Sequence, residues 1–276
     1  MESLEDKVAV VTGAASGIGQ ALCVELAREG MTIVAVDVDA GGLDLTLLGV
    51  HEAGCRAVAI RTDVSRADEM VALADQVDAE FGGVDLLCLN AGVFRGGLLW
   101  ESPIEDWDWV FSVNVYGIIH GIRAFVPRMI ARGSEAHIEI TSSMAGLIAT
   151  GMSGVYTVSK FAALALAEVL ANDLKAAGAP IGVSVLCPSA VATRIGQSER
   201  NREGVRPDVE SATAIETILR DFCGAGRQPA EIAPEIVAAI KRGDFVIPTR
   251  DSMADFVRTR SEALQRKELP PFQMFD

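Results

Sequence analysis

Tyr156 and Lys160 stand four residues apart in the stretch GVYTVSK, residues 154–160, and Tyr156 is one of only two tyrosines in the chain. On a helix, positions i and i+4 share a face, so both side chains could enter one cleft. A free phenol titrates at about 10 and is a poor base near neutrality. An ammonium within a few ångströms favours the phenolate and lowers that value. Such a phenol could take a proton from an alcohol, or return one to a ketone, while a hydride moves to or from a redox cofactor. Taken alone, the spacing is more often two side chains on one helix face; the other tyrosine, Tyr116, has His120 at the same distance.

The elements that must position such a pair follow from the hydrophobic pattern. Short apolar runs at Val8–Thr12, Met31–Asp37, Ala57–Arg61, Val84–Asn90, Ala136–Thr141 and Ile181–Leu186 read as buried strands. Between them lie segments of helical period, the longest over 105–132 and 154–177. Strands alternating with helices of this length imply βαβ units, right-handed crossovers and a parallel sheet with helices on both faces. The fold class expected is therefore a single α/β domain over 1–276, Rossmann-like, doubly wound, with about seven strands. Within it, 1–193 form the core, and the polar stretch 194–226 breaks the rhythm and reads as a lid. Residues 227–276 add a helix (229–241), a short strand (Phe245–Pro248) and a helical tail. The helix over 154–177 is apolar nearly all round, which points to cover on two sides, the second by another subunit.

The first strand runs into TGAASGIG, residues 12–19, which opens a helix. A glycine-rich turn between strand and helix is the setting of a dinucleotide site. Gly13 permits a tight turn, Gly17 lets a pyrophosphate approach, and Gly19 lets helix and strand pack. The helix N-terminus offers free N–H groups to the phosphates. Asp37, ending the second strand, can accept from both ribose hydroxyls of adenosine and would repel a 2′-phosphate. Its sequence neighbours carry no Arg or Lys to hold such a phosphate, so NAD is expected over NADP.

Composition narrows the function classes. The net charge is −14 and the isoelectric point about 4.7, a surface that would repel nucleic acid. The five cysteines and three histidines are scattered without metal-ligand spacing, and no metal is expected. The N-terminus MESLEDK is not a signal peptide. No uninterrupted apolar run reaches the roughly 18 residues of a membrane span. A cytoplasmic protein with no membrane or nucleic-acid partner is expected.

The motifs also occur in a particular order. TGAASGIG at 12–19, Asp63-Val64, LNAG at 89–92, Asn114, SSMAG at 142–146 and YTVSK at 156–160 resemble the short-chain dehydrogenase/reductase family over about residues 5–195. The resemblance implies that Ser143, thirteen residues before Tyr156, orients substrate. Tyr156 would be the acid/base, and Lys160 would lower its pKa and bind the nicotinamide ribose. Asn114 would support a proton relay by kinking its helix. For the cofactor it implies Gly13, Ser16, Gly17, Ile18, Gly19, Asp37, Asp63, Val64, Asn90, Ala91, Gly92, Pro188, Val191 and Thr193, with Tyr156 and Lys160. The family is often dimeric or tetrameric, so a homo-oligomer is expected, a tetramer foremost. One departure is Ser189, where the family usually has glycine after Pro188.

Around the expected pocket lie Phe94, Met144, Leu147, Ile148, Met152, Val155 and Ile195, mostly apolar, with no cation beside Ser143. The substrate expected is a hydrophobic secondary alcohol or its ketone. The stretches at 125–133 and 142–160 are similar to bacterial relatives that oxidise bulky aromatic or alicyclic alcohols, among them Cα-dehydrogenases of lignin-type aryl ethers. A hydroxysteroid-type dehydrogenase, an NADP-linked ketoreductase and a non-catalytic dinucleotide sensor are the alternatives.

Overall fold

The computed structural model describes residues 1, 3–202, 204 and 209–271. Positions 203 and 205–208 of the expected lid, and 272–276 of the tail, lie outside these. Seven strands are formed: β1 Val8–Thr12, β2 Thr32–Asp37, β3 Ala57–Arg61, β4 Leu86–Leu89, β5 Ala136–Thr141, β6 Ile181–Cys187 and β7 Val246–Pro248. They pair in parallel throughout, in the order β3-β2-β1-β4-β5-β6-β7. The helices are α1 Gly17–Arg28, α2 Ala40–Glu52, α3 Ala67–Phe81, α4 Ile104–Phe111, α5 Gly117–Arg132, α6 Gly154–Ala176, α7 Glu210–Gly224, α8 Pro229–Arg242 and α9 Met253–Gln265.

The inner strands are unbroken apolar runs because both sheet faces are covered. On one face Met70 and Leu73 of α3, Phe125 and Met129 of α5 and Ala163 and Ala167 of α6 pack on Val10, Leu87 and Ile138. On the other, Leu22 and Leu26 of α1, Leu43 of α2 and Ile232 and Ile236 of α8 pack on Ala9, Val11 and Leu86. The chain winds outward in both directions from β1 and β4, which places a crevice beyond the strands' carboxyl ends.

Two expectations need correction. The helix expected over 105–132 is not continuous: Ser112–Tyr116 form a π-helical turn between α4 and α5. The wider turn inserts one extra residue, and it carries Asn114. The strand expected over Val84–Asn90 is shorter, because the side chains at its ends serve other elements. Asp85 accepts the Val8 N–H at 2.9 Å, and Asn90 donates to the Thr12 carbonyl at 2.9 Å. The described residues of the expected lid form a 3₁₀ turn, Ile195–Asn201, and α7.

Two helical stretches, Ile104–Arg132 and Gly154–Ala176, have the length and mean hydropathy of a membrane span. Here their apolar residues go to the sheet: Val155, Ala163, Ala167, Leu170 and Leu174 of α6 are buried. On the outer side of α6, Val158 and Val169 stay exposed in the single chain.

Candidate active site

A cavity of about 780 Å³ opens at the carboxyl ends of β1 to β6, the size of a cofactor or ligand cleft. It is lined by Gly13, Ser16, Gly17 and Ile18 at one end and by Ser143, Tyr156 and Lys160 toward the other.

The β1–α1 turn is built around its glycines. Gly13 and Gly17 hold φ of +69° and +60°, left-handed values that favour glycine. A Cβ at Gly13 would lie 2.8 Å from the Ala91 Cα, and one at Gly17 would lie 2.9 Å from the Thr193 Cγ2. A Cβ at Gly19 would collide with the Gly13 carbonyl and the Asn90 amide. Gly19 therefore serves packing, as expected, and Gly17 also makes room for Thr193. Ser16 occupies the N-cap of α1 without a side-chain cap, so the first turn of the helix keeps donors free for an anion. This uncapped end, in a crevice where Gly13 and Gly17 leave no room for a side chain, fits the diphosphate of a dinucleotide.

At the end of β2, Asp37 accepts the N–H groups of Ala15 and Asp39, each at 3.0 Å. A carboxylate has about four lone-pair sites, so both oxygens retain capacity for ribose hydroxyls. The sequence neighbours of Asp37 carry no cation, but more distant residues bring cations to this end. The lid folds back so that Arg194 comes within 3.8 Å of Asp39. Arg61, Arg194 and Arg200 all line the cavity with Asp37, and Arg200 feels the charges of Asp37 and Asp39. Sequence neighbours of Asp37 could not reveal residues 157 and 163 positions further on.

Asp63 and Val64 lie on the same wall. The Asp63 carboxylate accepts the Ser65 N–H at 2.9 Å. Asn90 joins β4 to β1 by donating to Thr12, whose own hydroxyl accepts the N–H groups of Asn90 and Ala91 at 3.0 and 3.1 Å. A Cβ at Gly92 would sit 3.2 Å from the Lys160 Nζ. Pro188, Val191 and Thr193 close the floor, and the Pro188 carbonyl accepts the Met144 N–H at 2.8 Å. Ser189 lines the cavity too, with a buried hydroxyl that has no hydrogen-bond partner.

The reacting end is assembled from three elements. Ser143 follows β5, and its hydroxyl accepts the Ala145 N–H at 3.1 Å. Ser142, next to it, donates its hydroxyl to the Lys160 carbonyl at 2.8 Å, which occupies it structurally. Tyr156 opens α6, with its ring 4.9 Å from that of Phe94. Burial pushes the Tyr156 hydroxyl up to about 12, against a lowering contribution from its hydrogen bond with Ser143. Lys160 is held down to about 8, first by burial, while the charge of Glu139 acts to raise it. Its Nζ donates to the Thr141 carbonyl at 2.9 Å and lies 5.7 Å from the Tyr156 ring centroid. The ammonium thus stands near the Tyr156 ring with the Thr141 carbonyl as its acceptor, and the expected lowering of the phenol is outweighed by burial in the cofactor-free chain.

Asn114, fully buried in the π turn, accepts the Val93 N–H at 2.8 Å and donates to the Val93 carbonyl at 2.9 Å and to Ser159 at 3.0 Å. It ties the loop after β4 to α6, beside Lys160.

Phe94, Met144 and Ile195 line the cavity as expected. Leu147, Ile148, Met152 and Val155 do not. Ile148 belongs to the main core, Val155 packs with Val93 and Val110, and Met152 is exposed at φ +62°. The missing walls come from the lid, as Ile215, Ile218, Leu219 and Phe222, and from Trp109 of α4. The helical spacing of the four lid residues was the available signal.

The lid is anchored by charge. Arg95, fully buried, donates to Asp106 of α4 at 2.7 Å and to Glu216 of α7 at 2.6 Å, and pairs with Glu199 of the 3₁₀ turn at 2.9 Å. Arg202 donates to the other Asp106 oxygen at 2.6 Å and stacks over Trp109 at 4.9 Å.

The family model for short chain dehydrogenases matches residues 7–204. A short-chain dehydrogenase/reductase from Burkholderia phymatum, solved in complex with NAD, superposes with a TM-score of 0.95 at 39% identity, each chain covered in full. A CLA biosynthesis dehydrogenase/reductase from Lactiplantibacillus plantarum is 33% identical over 283 residues, 100% of this chain and 99% of its own. A 1-deoxy-11-beta-hydroxypentalenate dehydrogenase from Streptomyces exfoliatus is 37% identical over 227 residues, 81% of this chain and 82% of its own. With a family match over most of its length, a matching seven-stranded parallel sheet and a glycine-lined cleft for a nicotinamide dinucleotide, this chain belongs to the short-chain dehydrogenase family of oxidoreductases.

Proposed function

We propose that the protein interconverts a hydrophobic secondary alcohol, aromatic or alicyclic, and its ketone, with NAD as cofactor. The observation that carries this reading is one continuous cavity. It joins the Asp37 end to Tyr156 and finishes in apolar walls from Phe94, Met144, Ile195, Ile215, Leu219 and Phe222. Such walls reward apolar surface and leave a charged substrate desolvated.

The residues divide the work. The uncapped start of α1 and the glycines would hold the diphosphate, Asp37 the adenosine ribose, and Lys160 and Asn90 the nicotinamide side. When bound, NAD supplies the hydride acceptor. Ser143 orients the substrate oxygen and stabilises charge developing on it. Tyr156 takes the hydroxyl proton, or gives it back in reduction, and the Lys160 ammonium makes that transfer easier. Since burial holds the Tyr156 hydroxyl near 12 in the cofactor-free chain, oxidation should quicken as pH rises, until Lys160, held down to about 8, loses its charge, and reduction should quicken as pH falls.

A relative solved with NAD and another named for a hydroxypentalenate support the cofactor and a bulky hydroxylated substrate. A second reading, NADP, is favoured by Arg61, Arg194 and Arg200 at the adenosine end. Asp37 and Asp39 offset two of these three charges, so NAD remains the proposal. In the cell, a cytoplasmic homo-oligomer is the form we propose. Titrating NAD and NADP by quenching of protein fluorescence separates the two cofactors. A screen of racemic aryl and alicyclic alcohols, read by absorbance of the reduced nicotinamide, tests the reaction. Binding of NAD without turnover of any such alcohol would leave a dinucleotide sensor instead.

A further inference from the structure

Lys160 reaches the carbonyl of Thr141 at the end of β5, and the hydroxyl of the same threonine turns to Glu139, donating to its Oε1 at 2.8 Å. Glu139 sits in the middle of β5 with no exposed surface, in register with Cys88 of β4 and Ser184 of β6. Its second carboxylate oxygen has no hydrogen-bond partner. Its strand neighbours Ile138 and Ile140 are core residues. A carboxyl buried at the centre of a sheet is costly unless a charge answers it. The fold gains nothing from it that an apolar residue would not supply, and the cation acting on it is the amine of the candidate active site.

We infer that Glu139 is a positioning residue: through Thr141 it places a buried negative charge against Lys160 and so holds that amine as an ammonium. This rests on the reading of Lys160 given above. Cys88 of β4 and Cys187 of β6 are thiols that burial holds well above neutrality. Cys23 of α1, behind Cys88, is held up by burial in the same way. His137, two residues back along the strand, is held by burial down to about 4 and is neutral at pH 7. Lys160 of α6 is the cation that remains. Burial pushes Glu139 up to about 7 and Lys160 down to about 8. Against burial, the Thr141 hydrogen bond and then the Lys160 charge favour the carboxylate, and the Glu139 charge favours the ammonium. As pH falls below the Glu139 value the carboxylate is lost, and as pH rises above the Lys160 value the ammonium is lost. Oxidation of alcohol would therefore be confined on its alkaline side by loss of the ammonium.

The test uses the complete chain and Glu139→Gln, which keeps an acceptor for the Thr141 hydroxyl and removes only the charge. Lysine ¹³Cε NMR of the cofactor-free protein reads the amine directly, with Lys160→Met assigning its resonance. The expected result is a fall of about one pH unit in the Lys160 titration, the size of an opposite-charge contribution at close range. The alkaline limb of turnover should move down by the same amount. An unchanged Lys160 titration would overturn the inference. A shifted titration with an unmoved limb would uphold the pairing and overturn the role given to Lys160 in turnover. A second measurement does not need the glutamine variant to fold. The infrared carboxyl band of Glu139 should disappear as pH rises through about 7 in the wild type, and at higher pH in Lys160→Met. A band with the same midpoint in both proteins would also overturn the inference.

Discussion

Replacing Arg95 with methionine should both destabilise the protein and loosen its lid. Arg95 is fully buried and bound to Asp106, Glu199 and Glu216 at 2.7, 2.9 and 2.6 Å. Three carboxylates from α4, the 3₁₀ turn and α7 share Arg95 and Arg202. Methionine fills similar space without charge and removes a cation that three carboxylates share, one of them, Asp106, buried. Removing one partner of a buried ion pair costs about 3–5 kcal/mol, because the charge left behind is desolvated and uncompensated. Protonating one of the three carboxylates relieves part of that cost. Its folded pKa would then lie above its unfolded value, so the variant should lose further stability as pH rises from 5 to 8. Guanidinium unfolding at fixed protein concentration, at both pH values, reads the loss. The same contacts fasten the lid to the loop after β4. Once they are weakened, each 1.4 kcal/mol by which the open lid is favoured raises KM about tenfold. A loss below about 1 kcal/mol, the range of an exposed pair, together with an unchanged KM would refute the reasoning.

Tyr156→Phe keeps the ring against Phe94 and removes the acid/base. Its kcat should fall by about 10²–10⁴-fold, with NAD dissociation measured by fluorescence unchanged. Asp37→Ala removes the carboxylate proposed to hold the adenosine ribose while Arg61, Arg194 and Arg200 stay. The NAD-to-NADP ratio of kcat/KM should fall at least about tenfold, some 1.4 kcal/mol. An unmoved ratio would exclude Asp37 as its determinant. His137 is buried, shares a hydrogen bond with Ser184 at 2.8 Å, and has its pKa held at about 4. It is depressed below the unfolded value of about 6.5, so the unfolded chain binds the extra proton between those limits. Its contribution should be complete above about pH 6.5 and lost as pH falls toward 4. The acid limb of a thermal-unfolding profile should therefore flatten in His137→Gln.

Much of this site was legible in the sequence because its parts are local. A glycine turn between a strand and a helix depends on a few consecutive φ angles and on close backbone approach, and TGAASGIG displays both. Tyr156 and Lys160 share a face because helical spacing requires it. The ends of β4 were misplaced because propensity continues through Asp85 and Asn90, while their side chains pair outside their own strand. The π turn at Ser112–Tyr116 left no trace in periodicity over 105–132, since one added residue displaces the apolar stripe too little. The pocket walls were misassigned for a different reason. Residues close in sequence to Ser143, such as Ile148, turn into the core, and the walls arrive from the lid, 70 residues later.

The charges show the same division more sharply. Asp37 was open to sequence reading because it ends the strand that follows the glycine turn and its helix, where a ribose contact is expected. Its opposing arginines were not, since only the folded lid brings them there. Arg95 and Glu139 are the extreme case. In sequence each is a lone charge within or beside an apolar run, where a surface position or a strand end would be the ordinary reading. Burial changes their meaning. A desolvated charge persists only where another holds it, so each one identifies a partner, the lid carboxylates for Arg95 and Lys160 for Glu139. Both partners border the cavity of the proposed site, in its lid walls and at the amine near the phenol. The energetic cost of these two side chains is therefore carried where the reaction needs a fixed field, and their removal should be felt in KM and in pH dependence before it is felt in the fold's topology.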